Sequence, residues 1–234
     1  MYFDWTYLVY VMPAVIFAMI ASARVNSIYK RYSGVFSQRG ITAENAARTV
    51  LDANGLNNVE IRQIAGNLTD RFDPSNNVVS LSEGVYNSTS IAAIGIALHE
   101  VGHALQHAQG YLPIKIRTAI VPITNFGSQL SVPLIILGII LSSFSQQLVM
   151  IAYIGILLYA LCVVFQLVTL PTEFNASKRA MESIKKYGFL SEEEAVGTRR
   201  VLSAAAMTYV ASLAVTIMQL LRFIVLVGGR RNNR

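Results

Sequence analysis

Apolar residues run without a single charge from Trp5 to Ala23, from Thr118 to Thr172 and from Val201 to Leu221. A bilayer takes about 20 apolar residues per helix, so the middle stretch is long enough to cross twice. The polar cluster Ser142-Ser143-Phe144-Ser145-Gln146-Gln147 divides it. The expected spans are then 5–23, 120–142, 148–170 and 201–227. Between the first two spans the pattern changes. Thr42-Ala43-Glu44-Asn45 opens an Ala-rich amphipathic helix that runs to about Asn54-Gly55. Val59 to Ile64 alternates as a strand does, Phe72 to Asn77 is turn chemistry, and Val78 to Leu81 reads as a second strand. A further helix, about 90–108, follows the candidate caps Asn87, Ser88, Thr89 and Ser90, and Gly110 and Pro113 close it. The pattern describes a mainly α integral membrane protein of three to four transmembrane helices. A small α+β unit occupies 24–117, and a helical segment, 171–200, follows the hairpin 118–170.

Composition agrees. Charged residues make up 14% of the 234, against about 25% in an ordinary soluble domain, and the mean hydropathy is +0.47. The acidic start Met1-Tyr2-Phe3-Asp4 is unlike a cleavable signal peptide. Arg24, Lys30, Arg31 and Arg39 follow the first span, and Lys178, Arg179, Lys185, Lys186, Arg199 and Arg200 follow the hairpin. The positive-inside rule therefore sets 24–117 and 171–200 in the cytoplasm of a multi-pass plasma-membrane protein. Arg230, Arg231 and Arg234 oppose a full crossing by the last segment, which either crosses or is buried in the membrane. The net charge of +6 flanks the spans, which points to anionic lipid rather than nucleic acid. The single cysteine, Cys162, lies in a span, so no disulfide forms within the chain.

His99-Glu100-Val101-Gly102-His103 carries the chemistry. Residues four apart share a helix face, so His99 and His103 can hold one metal ion while Glu100 reaches a water beside it. This is the spacing of a zinc peptidase, with Zn²⁺ as cofactor and Glu100 as general base. A catalytic zinc takes a third protein ligand. His107 lies eight residues beyond His99, about 12 Å along a continuous helix, which is too far for one ion. Glu173 is the first charge after the hairpin, and the hairpin's topology returns it to the helix it left. Pro171 suits the first turn of a new helix that would project Glu173. The third ligand is therefore expected to be Glu173. Val78 to Leu81 is either a sheet edge that takes up extended substrate or a plain structural strand.

These residues carry a resemblance. Leu68-Thr69-Asp70 with Asp73-Pro74, the run from His99 to His107, Thr169-Leu170-Pro171-Thr172-Glu173-Phe174-Asn175-Ala176-Ser177-Lys178-Arg179-Ala180 and Ala204 to Val210 resemble the YugP-type family of neutral zinc metallopeptidases. The resemblance covers nearly the whole chain. It implies a membrane-integral peptidase of zincin-like, gluzincin type, with His99, His103 and Glu173 at the metal positions. A more distant likeness is to HtpX-like and CAAX-prenyl proteases, whose E-x-x-x-D motif has Ser177 here in the aspartate place. No carboxylate that would orient a ligand histidine is thus identified.

The expected activity is hydrolysis of peptide bonds in protein or peptide substrates, membrane proteins above all, at the cytoplasmic face of the bilayer. His107, Arg179 and Tyr209 are the candidates to stabilise the oxyanion or support the ligands. Two rivals stand beside this reading. A site-2-type intramembrane protease would need an LDG-like motif, and Asp is absent from residue 74 onward. A catalytically silent scaffold or chaperone would have no need of an intact Glu100. Substrate identity and oligomeric state are not encoded in any visible motif.

Overall fold

A computed structural model describes residues 5–232, with side chains to Gly229. Met1 to Asp4 and Arg234, part of the charge argument above, lie outside the described residues, as do the side chains of Arg230 and Arg231.

The chain forms two compact units, one of 1–21, 116–170 and 208–234, the other of 22–115 and 171–207. Among the described residues, four helices are long and apolar enough to cross a membrane. They are α1 (Met12–Tyr32, after a π-helical turn Tyr7–Val11), α5 (Leu112–Leu141), α6 (Val149–Tyr187) and α7 (Glu192–Asn232). The break between α5 and α6 falls at Ser142 to Ser145, on the polar cluster.

The first unit consists of apolar helix with small residues where helices meet. A Cβ added at Gly138 would strike the backbone of Ala152, and one at Gly155 would lie 2.6 Å from the Ser131 carbonyl. Small residues at such places let helix backbones approach closely without a bulky side chain between them. Ile135, Ala152, Ile156, Phe223 and Val227 form the buried cluster that results.

The second unit has a conventional core. Its centre is α4 (Ile91–Ala108), buried along most of its length. Ser90 caps it by accepting from Ala93 N–H. Around it lie α2 (Ala43–Ala53), the short α3 (Glu83–Tyr86), and a sheet of β1 (Glu60–Ile64), β2 (Arg71–Asp73) and β3 (Val78–Ser82). Thr42 caps α2 through Asn45 N–H, and Gly55 follows it with φ +75°, a left-handed conformation that a side chain would resist. Val50, Leu51, Val79, Leu81, Ile94 and Leu98 are fully enclosed where these elements meet.

One open alternative is decided here, and two sequence expectations change. Val78 to Leu81 is not a sheet edge: the strand order is β1-β3-β2, with β3 parallel to β1 (Glu60↔Val78) and antiparallel to β2 (Phe72↔Val79). Every residue of β3 is buried, Ser80 and Ser82 along with Val78, Val79 and Leu81, as a central strand covered on both faces requires. Phe72-Asp73 is strand before it is turn, since Asp73 closes β2 and then accepts from Ser75 N–H at 2.9 Å to begin the reversal. Pro171 starts no helix. It lies inside α6, which runs unbroken from Val149 to Tyr187. A proline costs a helix one hydrogen bond, but its φ is helical, and its neighbours in a long helix keep the geometry. The boundary between the two units nevertheless falls at Leu170–Pro171.

Candidate metal centre

α4 and α6 come together at their smallest residues. A Cβ added at Gly102 would sit 2.7 Å from the carbonyl oxygen of Ala176 and 3.1 Å from its Cα. Gly102 is the second variable position of the HExxH run, so the histidines flank the point of closest approach. Glu173 stands one turn before Ala176 on α6. Close packing therefore delivers Glu173 between the two rings.

The three side chains converge. His99 Nε2 lies 3.2 Å and His103 Nε2 3.5 Å from Glu173 Oε2, and the imidazoles meet edge to face with centroids 4.8 Å apart. The ligand atoms of His99, His103 and Glu173 all lie within 4.8 Å of one another. His107 is not in this group. It is exposed, eight residues along the same unbroken helix from His99, and packs edge-on against Phe72 at 6.1 Å.

The other ring nitrogens show what this group is suited to hold. His103 Nδ1 is 3.0 Å from Gln106 Oε1. The Gln106 amide has one sensible orientation, because its Nε2 donates to Thr172 O at 2.8 Å and to Asn175 Oδ1 at 3.0 Å. Its Oε1 is thus the acceptor, and His103 carries its proton on Nδ1. His99 Nδ1 lies 3.1 Å from the Ser177 hydroxyl, which can accept in the same way. Each Nε2 then presents a lone pair, and both face a carboxylate oxygen. Lone pairs gathered like this, largely out of water, call for a cation between them. The donor set of two imidazoles and one carboxylate suits Zn²⁺. His103 shows the same pull on a proton. Burial works to lower its pKa, but the Glu173 hydrogen bond and the charges of Glu100 and Glu173 outweigh it, and the net shift is upward.

Glu100 is held apart from the ligand group. Its Oε2 accepts from the backbone N–H of Phe72 at 2.9 Å. That amide belongs to β2, an edge strand, so the sheet fixes the carboxylate beside the middle of α4. Asp70, just before β2, accepts from Ser82 N–H at 2.7 Å and ties β2's entry to the end of β3. Burial, opposed by the Ser82 hydrogen bonds, raises the Asp70 pKa.

Sequence reasoning missed Gln106, and with it the support of His103. The signal was present, since Gln106 lies one turn after His103 with an amide able to accept. Ser177, which the E-x-x-x-D comparison marked only as a missing acid, occupies that acid's place and meets His99. Of the remaining candidates, Arg179 is committed to protein acceptors: Nε donates to Asn175 Oδ1 and Nη1 to Gln109 Oε1, both at 2.7 Å. It thereby buttresses the Asn175–Gln106–His103 chain. Tyr209 falls in the other unit.

The family model described as "Putative neutral zinc metallopeptidase" matches residues 7–228. A relative from Bacillus subtilis (strain 168), described as "Putative membrane protease YugP", is 44% identical over 214 residues, covering 91% of this chain and 93% of its own length. No solved structure matches.

Proposed function

The chain belongs to the neutral zinc metallopeptidase family, and from that premise we propose that it is a membrane-embedded zinc-dependent endopeptidase whose gluzincin-type site faces the cytoplasm. The observation that carries the reading is the convergence of His99, His103 and Glu173 with their outer nitrogens already satisfied. His99, His103 and Glu173 would hold the ion. Zinc, when bound, acts as a Lewis acid that polarises the scissile carbonyl and acidifies water.

The chain's own groups do the rest. Gln106 and Ser177 keep His103 and His99 in the tautomer that offers Nε2. Phe72 N–H secures one oxygen of Glu100, and the other is available to take a proton from the attacking water and return it to the leaving amine. With Arg179 engaged elsewhere, His107 and Tyr209 are the candidates to stabilise the oxyanion, and His107 is exposed and rests on the residue whose amide holds Glu100. His99 is the most open of the ligands, its side chain 14% exposed against 3% for Glu173, which suits it to lie on the substrate side.

The test is hydrolysis of an unfolded protein such as casein by the full chain purified in detergent. A chelator should abolish turnover and added zinc should restore it. Chelator-resistant turnover would contradict zinc dependence, and a zinc-loaded protein that never cleaves would favour the scaffold reading instead.

The cytoplasmic orientation is supported by the cations in the second half of α1, Arg24, Lys30 and Arg31, and by those at the end of α6 and the start of α7. Ser37 is buried and donates to the Phe189 carbonyl, so the neighbouring exposed Gln38 is the better probe. With Cys162 replaced, Gln38→Cys and Ser145→Cys should label from opposite sides of the membrane with an impermeant reagent. Labelling of Gln38→Cys from outside intact cells contradicts the orientation.

A further inference from the structure

We propose that the groove between the end of α6 and the start of α7 is a binding site for an anionic amphiphile, of the class of a phospholipid with a negatively charged head group. The groove has a volume of about 530 Å³, within the range of small-molecule sites, about 300–1,000 Å³. It lies wholly in the core-containing unit. None of His99, Glu100, His103 or Glu173 lines it. Ser177 alone is shared, and it meets His99 on the side of the ring away from the ligand group.

Its walls are apolar: Phe174 and Met181 from α6, Leu202, Ala206 and Met207 from α7. Its charges are Lys178, Lys185 and Arg199 against the single acid Glu182. Glu182 lies 3.8 Å from Lys178 and offsets it. Lys185 and Arg199 remain as a surplus of positive charge.

The order of these residues along both helices is what selects the ligand. On α6, Phe174 comes one turn after Leu170, where the long apolar run ends, and Lys185 comes three turns later. On α7, Arg199 comes first and Met207 follows two turns on, inside the next apolar run. Both helices thus place their cations toward the Gly188 turn and their apolar side chains toward the hydrophobic stretches. An amphiphile has that polarity, with its tail along Phe174 and Met207 and its head at Lys185 and Arg199. Basic pockets beside apolar helix ends suit anionic head groups. An acidic peptide fits less well. Both walls are helices whose backbone groups are already bonded, so an extended chain would find no strand edge to pair with.

Binding does not depend on the metal reading and can be tested without catalysis. The full chain, purified in an uncharged detergent, is measured zinc-loaded and after chelation. It is titrated with phosphatidylglycerol, with phosphatidylcholine of the same chains, and with glycerol phosphate. The readouts are bound lipid per chain by native mass spectrometry and the change in Tm. Phosphatidylglycerol should bind and stabilise in both metal states, and the other two should not. Lys185→Glu with Arg199→Glu should weaken that binding by about tenfold or more, taking a gain of about 1 kcal/mol per basic residue at an anionic surface. Ala206→Phe, which fills the groove, should weaken it without changing any charge. Both variants should keep their zinc. If the double glutamate variant elutes as aggregate, Lys185→Gln with Arg199→Gln replaces it, with an intermediate loss expected. Equal binding of the two lipids, unchanged binding in the charge variants, or equal competition by glycerol phosphate alone would each overturn the proposal. The last outcome would mark a phosphate site rather than an amphiphile site. Absence of peptidase activity in the zinc-loaded chain, with lipid binding intact, would count against the proposed function and leave this site standing.

Discussion

The two units of this chain are built from similar residues and use them in opposite ways. In the unit that carries the HExxH helix, Leu51, Leu81, Ile94 and Leu98 are enclosed against one another. In the other, Leu157, Phe126 and Met150 are 69%, 64% and 60% exposed. An isolated exposed leucine is unremarkable in any protein, but helix after helix of them is not. The first arrangement is what water demands of a core, and the second is what a lipid solvent permits. Hydrophobic composition alone therefore says nothing about burial. The spacing does: one-sided in α2, all-round in the four long helices.

What the units share is the use of small residues to close helix pairs, and the site depends on that device. The largest effect should come from removing the residue that α6 delivers. Glu173→Ala should purify with little zinc, because two imidazoles make only a partial site. His107→Ala should purify nearly replete, with its rate reduced by about 10²–10³ if it serves the oxyanion. Elemental analysis of both in one detergent, with folding checked by size exclusion, decides the matter. An empty His107→Ala beside a replete Glu173→Ala would rule out the ligand set.

The next effect sharpens the comparison directly. Gly102→Val and Gly138→Val both insert a branched side chain where two helix backbones meet. Each should cost about 1–3 kcal/mol by overpacking. Only Gly102→Val should also weaken zinc binding, because it pushes Ala176, and so Glu173, away from His99 and His103. Zinc affinity read against Tm separates the two. Equal zinc affinities in the two variants would mean that the α4–α6 approach does not set the site.

Much of this was legible because it is local. The caps at Thr42 and Ser90, the left-handed Gly55 and the i, i+4 pair His99 and His103 depend on near neighbours in sequence. Glu173 was legible for another reason, as the first charge after an apolar hairpin whose ends must return together. What failed depends on partners far along the chain. Nothing in Val78 to Leu81 says whether one or two strands will flank it. Nothing in Arg71 to Asp73 announces a strand, because three residues are too few to show alternation. Pro171 misled because proline fits equally at a helix start and inside a long helix that tolerates one lost hydrogen bond. Gln106 and Ser177 are ordinary polar residues until His103 and His99 are placed against them.

The measurement closest to the central claim is zinc content and turnover of Glu100→Gln on one preparation. Glu100 is not among the converging ligand atoms, and Phe72 N–H holds it beside them. The variant should therefore keep its zinc as the unaltered chain does, while casein hydrolysis falls by about 10²–10⁴ with the loss of the general base. An emptied site would make Glu100 a ligand, and undiminished hydrolysis would remove it from the chemistry. Either result contradicts the account.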